Sequence, residues 1–321
     1  MATRSIRGIA LASALAVSAT AANAVGFTSL TVFGDSLSDT GNLFAATGGT
    51  LPASPPYFDG RFSNGPIWAD TLAASFDAKG LETLNFAYGG AHALPDAAPP
   101  PDLPDQLGLF ALTPAPDLGD RPIASLLFGS NDIFGAVGTP GLEAVATAAA
   151  NAVADAALAP SGFGFGDFLI FNLPDLGQTP AYRLFAPPAA PAATAATLVF
   201  NETLAGRVSD LRAGGINVID GDLFGFFNEM VADPAKYGVT DTTLPCLFPN
   251  PEAAAFFGQP LLCEGADQTG RAFFDGVHPN GVIHQQVAGI VAARVAPVPL
   301  PATALLLFAG FAGVVAIRRR V

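Results

Sequence analysis

Cations are scarce in this chain. Lysine occurs only at Lys79 and Lys236, and lysine plus arginine number 14 against 27 aspartate plus glutamate, a formal net charge of −13. Without a basic patch, nucleic-acid binding has no electrostatic footing. Two amines also make a small pool for Schiff-base chemistry. Histidine is limited to His92, His278 and His284, so an imidazole base must come from one of three positions. Cys246 and Cys263 have no histidine pair nearby, which makes a poor zinc site. Residues 162–166 alternate Gly and Phe but do not form G-x-G-x-x-G, and no internal repeat is evident.

What is abundant is apolar: half of the 321 residues, including 26 Phe against four Tyr and one Trp. Such a chain can bury a sizeable core. Short apolar runs at residues 29–33, 83–87, 123–128, 168–172 and 216–219 read as strands. Helical patterns occupy 142–159, 192–213 (ending at Gly214-Gly215) and 280–295. Strands alternating with helices imply a parallel, doubly wound α/β sheet. The Pro- and Ala-rich stretches 95–120 and 185–193 read as surface loops or lids, because the alternation resumes after each. One catalytic domain is expected, residues 25–296.

Both ends carry targeting patterns. Residues 1–24 place Arg4 and Arg7 before an apolar stretch at 9–17 and end in Ala22-Asn23-Ala24, the layout of a signal peptide cleaved after Ala24. Residues 297–321 hold Val298-Pro299-Leu300-Pro301-Ala302, an apolar span at 303–317 and Arg318-Arg319-Arg320. Motif, span and basic end together resemble the VPLPA type of PEP-CTERM sorting signal. That resemblance implies a Gram-negative cell surface and an exosortase-type processing enzyme; the alternative is a plain membrane anchor. Losing both segments removes five arginines and no acid, leaving 9 cations against 27 acids, a net −18. Export makes a Cys246–Cys263 disulfide permissible in a Pro-, Gly- and Phe-rich segment of weak periodicity.

The chemistry is concentrated at strand exits. The first strand runs into Phe33-Gly34-Asp35-Ser36-Leu37-Ser38-Asp39-Thr40-Gly41-Asn42, and a strand exit is where open α/β sheets build their ligand sites. Ser36 there is a candidate nucleophile, although the elbow G-x-S-x-G is missing. His278, in Asp275-Gly276-Val277-His278, has an acid three residues before it that can reach Nδ1 within one turn. His284 has no nearby acid and reads as an ordinary helix residue; His92 follows a glycine pair and is a candidate pocket residue. Two further strand exits, at Tyr88-Gly89-Gly90-Ala91 and Gly129-Ser130-Asn131-Asp132, offer backbone and amide donors to the same sheet edge.

These blocks, in this order, resemble GDSL-type esterases/lipases of the SGNH hydrolase superfamily: G-D-S-L around Ser36, N-F-A-Y-G-G-A at 85–91, G-S-N-D at 129–132 and D-G-V-H at 275–278. The resemblance implies a three-layer α/β/α fold with a mostly parallel five-stranded sheet of the flavodoxin-like kind. It implies Ser36 as nucleophile, His278 as base and Asp275 as its orienter. Ser36 N–H, Gly90 N–H and Asn131 would form the oxyanion hole, with Gly90 favoured over Gly89 by counting from Asn85. It implies two-step hydrolysis of a lipid or other carboxylic ester without metal or organic cofactor. A polysaccharide O-acetyl ester is the alternative substrate, and a non-catalytic surface-binding protein on the same scaffold is the alternative class. Residues 56–65 and 172–177 also resemble segments of secreted lipase-like members and read as loops near the pocket.

Overall fold

The computed structural model describes residues 26–96, 98–158, 164–248 and 261–296. The signal-peptide and sorting-signal readings at 1–24 and 297–321 lie outside the described residues.

Five strands, β1 (Ser29–Gly34), β2 (Glu82–Asn85), β3 (Pro122–Leu127), β4 (Asp167–Phe171) and β5 (Asn217–Gly221), form one sheet in the order β2-β1-β3-β4-β5. Every neighbouring pair is parallel. This is the flavodoxin-like order, in which the switch point lies between β1 and β3 and ligands bind outside the strand carboxyl ends there. All six residues of β1, all six of β3 and all five of β4 are buried, as a sheet covered on both faces requires.

The covering helices explain that burial. On one face α2 (Trp68–Asp77) packs on β1 and β2 and against α9 (Gly281–Val295). On the other, α3 (Leu103–Ala111) packs on β1 and α6 (Ala190–Ala213) on β5, and α5 (Leu142–Ala156) packs against both helices. Alanines 146, 149, 150 and 154 of α5 are fully or almost fully buried, and their small size lets α5 lie close along α6. Around them Phe33, Phe86, Phe110, Phe165 and Phe168 form a chain of ring contacts with centroids 5.6–6.3 Å apart. The other α-helices among the described residues are α1 (Asn42–Ala46), α4 (Ser130–Ala136), α7 (Leu223–Ala232) and α8 (Asp267–Gly270). Among the described residues no helix is long and apolar enough to cross a membrane.

The expected loop at 95–120 is corrected: it contains α3. Its prolines hide the helix from a composition reading. Yet Pro104 stands in the first turn, where the missing N–H has no intrahelical partner to lose. Asp105 closes the start by accepting Asp102 N–H at 3.3 Å. The stretch 185–193 is likewise not all loop, since α6 begins at Ala190. A small antiparallel pair, β6 (Leu247–Phe248) and β7 (Leu261–Leu262), is joined by the Cys246–Cys263 disulfide.

Candidate active site

Ser36 follows β1 by two residues, and its Oγ lies 2.8 Å from His278 Nε2. His278 Nδ1 lies 2.7 Å from Asp275 Oδ2. The carboxylate is held locally as well: Val277 N–H and His278 N–H donate to Oδ1 at 2.9 and 2.8 Å. Tyr57 donates its phenol to Oδ2 at 2.6 Å. Burial by itself would raise the Asp275 carboxyl, but His278 and these hydrogen bonds outweigh it and hold the group below the usual carboxylate range. A hydroxyl bonded to an imidazole whose far nitrogen sits on a fixed carboxylate can lose its proton as it attacks a carbonyl.

Gly90 and Asn131 line the same cavity as Ser36. Asn131, in the first turn of α4, gives one amide hydrogen to Ala91 O at 2.8 Å, and the other has no acceptor among the described residues. Gly89 and Gly90 divide their work. Gly89 N–H is committed to Asp39 Oδ2 at 2.8 Å, whereas Gly90 lines the cavity at Ser36 and bonds no acceptor among the described residues. Gly90 has φ +84°, a left-handed conformation that glycine adopts without penalty. At Gly89 the reason for glycine is space: a Cβ would stand 2.1 Å from the Phe62 ring. That ring in turn packs on the His278 imidazole, centroids 5.0 Å apart.

The cavity holds about 310 Å³ and is mostly apolar, with Leu37, Phe134, Leu176, Phe227 and Val277 among its walls. Asp35 lines it too. This carboxyl is buried, accepts Leu37 N–H at 3.0 Å through Oδ1, and leaves Oδ2 without a hydrogen-bond partner. Burial pushes its pKa up to about 7, against the pull of the Leu37 N–H and His278. Burial also raises Asp39 and Asp132. Both are structural clasps. Asp39 accepts the N–H groups of Gly41, Asn42, Leu43 and Gly89, tying the Ser36 loop to the glycine block. Asp132 accepts those of Ala93 and Leu94.

Of the three histidines, only His278 reaches Ser36. His284 is buried in α9, and burial drives its pKa down to about 3, so it stays neutral. His92 does not line the Ser36 cavity; it sits beside Asp96 and Asp102 at 3.9 and 3.5 Å. Three contributors went unread in the sequence: Tyr57, Phe62 and Asp35. The first two lie in the 56–65 segment read as a loop, and their partners are more than two hundred residues away or across the cavity.

The sequence model of the GDSL-like Lipase/Acylhydrolase family matches residues 30–291, nearly the whole described chain. The chain belongs to this family. It is thus an ester-bond hydrolase of the GDSL esterase/lipase group. A phosphatidylcholine-sterol acyltransferase of Aeromonas hydrophila is 31% identical over 300 residues, covering 80% of this chain and 87% of that protein. The thermolabile hemolysin of Vibrio parahaemolyticus is 28% identical over 79% of this chain and 60% of its own length. An acetylesterase of Thermothelomyces thermophilus is 26% identical over 82% and 86%, respectively.

Proposed function

We propose that this GDSL hydrolase cleaves lipid or other carboxylic esters through an acyl-Ser36 intermediate. The observation that carries the reading is the unbroken line from Ser36 Oγ through the His278 ring to Asp275, opening on an apolar cavity. Ser36 Oγ attacks the carbonyl carbon while His278 Nε2 takes the hydroxyl proton. The Asp275 carboxylate stabilises the imidazolium. Charge on the former carbonyl oxygen is met by Ser36 N–H, Gly90 N–H and the free hydrogen of Asn131. His278 returns the proton to the leaving alcohol, and water then repeats the sequence to release the acid and Ser36.

The alternative, removal of O-acetyl groups from a polysaccharide, draws support from the acetylesterase relative. A fluorophosphonate probe separates catalysis from a binding-only role. Folded wild type should be labelled and Ser36→Ala should not; equal labelling of both, or of neither, defeats the reading. Residues 1–24 and 297–321 support export, with signal peptidase and an exosortase-type enzyme as processing partners and the cell surface of a Gram-negative bacterium as destination. The mature termini, measured by mass spectrometry, test that route: cleavage after Ala24 and loss of the Arg318–Arg320 end are expected.

A further inference from the structure

The walls of the Ser36 cavity carry more information than the ester class. Among the described residues, no arginine or lysine lines them. Their ionisable side chains are Asp35, Asp175, Tyr57 and His278. Nearby cations are engaged elsewhere: Arg61 pairs with Asp70, Arg271 with Asp267 and Lys236 with Glu229. Arg183 has no ion-pair partner among the described residues, but it does not line the cavity. An anionic substrate would therefore find no cation on the described walls and, beyond them, the field of a chain at −13.

The apolar wall has a direction. Asn131, which donates to the carbonyl oxygen in the proposed reaction, and Phe134 lie three residues apart on α4 and so share a face. Whatever chain hangs from that carbonyl starts beside Phe134, whose ring is backed by Tyr182 at 5.8 Å. Leu176 and two residues one turn apart on α7, Phe227 and Val231, continue the lining. The cavity as a whole, acyl and alcohol sides together, is about 310 Å³, more than an acetyl group fills.

We infer that Phe134, Leu176, Phe227 and Val231 form the acyl subsite, that it takes a medium-length acyl chain, and that the site selects acyl donors whose leaving group carries no negative charge. The inference rests on the esterase reading above and adds chain length and charge to it. Each methylene buried at the transition state should raise kcat/KM about three- to fourfold.

The test uses the exported chain with p-nitrophenyl esters from acetate to palmitate. It adds one thioester pair that shares an octanoyl group: the N-acetylcysteamine and the coenzyme A thioester. The expected results are a kcat/KM for octanoate at least a hundredfold above acetate and an uncharged thioester favoured at least tenfold over the coenzyme A thioester at low salt. That second gap should narrow as salt rises. Val231→Phe should cut the octanoate-to-acetate ratio at least tenfold, and Phe227→Ala should move the optimum to longer chains. These ratios do not depend on the active fraction of each preparation. Ser36-dependent activity that peaks at acetate, or that favours the coenzyme A thioester, overturns this inference and leaves the esterase reading standing. Failure to hydrolyse any ester overturns both.

Discussion

Replacing Asp35 with asparagine should stabilise the protein, and by an amount that grows with pH. The Asp35 carboxyl is buried behind the nucleophile with one accepted hydrogen bond and one unpartnered oxygen. Its pKa is raised from the ordinary 3.8 to about 7. The folded state therefore holds this proton more tightly than the unfolded chain does. Between pH 3.8 and about 7, folding takes up a proton, so the contribution to stability falls as pH rises. It is fully present below about pH 4, is lost progressively up to about pH 7 and stays lost above. At about 1.4 kcal/mol per pH unit, the interval from 3.8 to about 7 amounts to roughly 4 kcal/mol. That is a large share of the ~5–15 kcal/mol by which a domain is stable.

Asp35→Asn keeps the acceptor for Leu37 N–H and carries no charge at any pH, so its curve lacks this component. Asp132, which faces Asp35 and raises it, and His278, which lowers it, are present in both proteins. The quantity to measure is the stability of Asp35→Asn minus that of wild type, from urea unfolding at pH values between 4 and 8.5. The buried Trp68, the single tryptophan, reports the transition. The difference should climb by about 4 kcal/mol across that range and level off above pH 7. A difference flat to within about 1 kcal/mol, or one that falls with pH, refutes the argument from burial.

Other expectations follow from single contacts. Tyr57→Phe removes one of the donors to Asp275 Oδ2, worth about 1.5–3 kcal/mol as a bond to a charge, and leaves that oxygen to His278 alone. The acid limb of the pH–rate profile should move upward by about one unit with folding intact; an unmoved limb discounts the contact. His278→Ala should abolish esterase turnover, whereas His284→Ala should lower thermal stability and largely spare catalysis; the reverse pattern would exchange their roles. Gly89→Ala forces Phe62 off its position against His278, and a drop of tenfold or more in kcat/KM is expected, whereas wild-type kinetics would show that the ring relocates freely. The Cys246–Cys263 bridge closes a span of 17 residues, and reduction should cost about 3 kcal/mol of stability. It should also loosen the segment before Asp275, because Cys246 and Leu247 donate to Phe273 O and Phe274 O. Hydrogen exchange at residues 273–278 before and after reduction reads that effect.

What could be read from sequence was local. Asp275 lies within one turn of His278, so three residues of spacing suffice to bring carboxylate and imidazole together. The strand runs, the turn-forming glycines after β2 and β3 and the order of the blocks carry the sheet for the same reason: neighbours in the chain dictate each element. The reading slipped where local composition and tertiary context disagree. Prolines around α3 look like a loop, but Pro104 sits in the turn that tolerates it.

Folding alone decided the rest. Ser36 and His278 are separated by 242 positions, and Tyr57 and Asp275 by 218, and no periodicity links such pairs. The difference between Gly89 and Gly90 needed the fold as well: Gly89 N–H bonds Asp39, and Gly90 lines the cavity. The raised pKa of Asp35 is likewise no property of G-D-S-L, since it arises from the water that the packed core excludes. Sequence by itself determined which groups this protein has for chemistry, since bonding along the chain is local. Tertiary structure decided which of them meet and in what dielectric, since both depend on how distant segments close over one another.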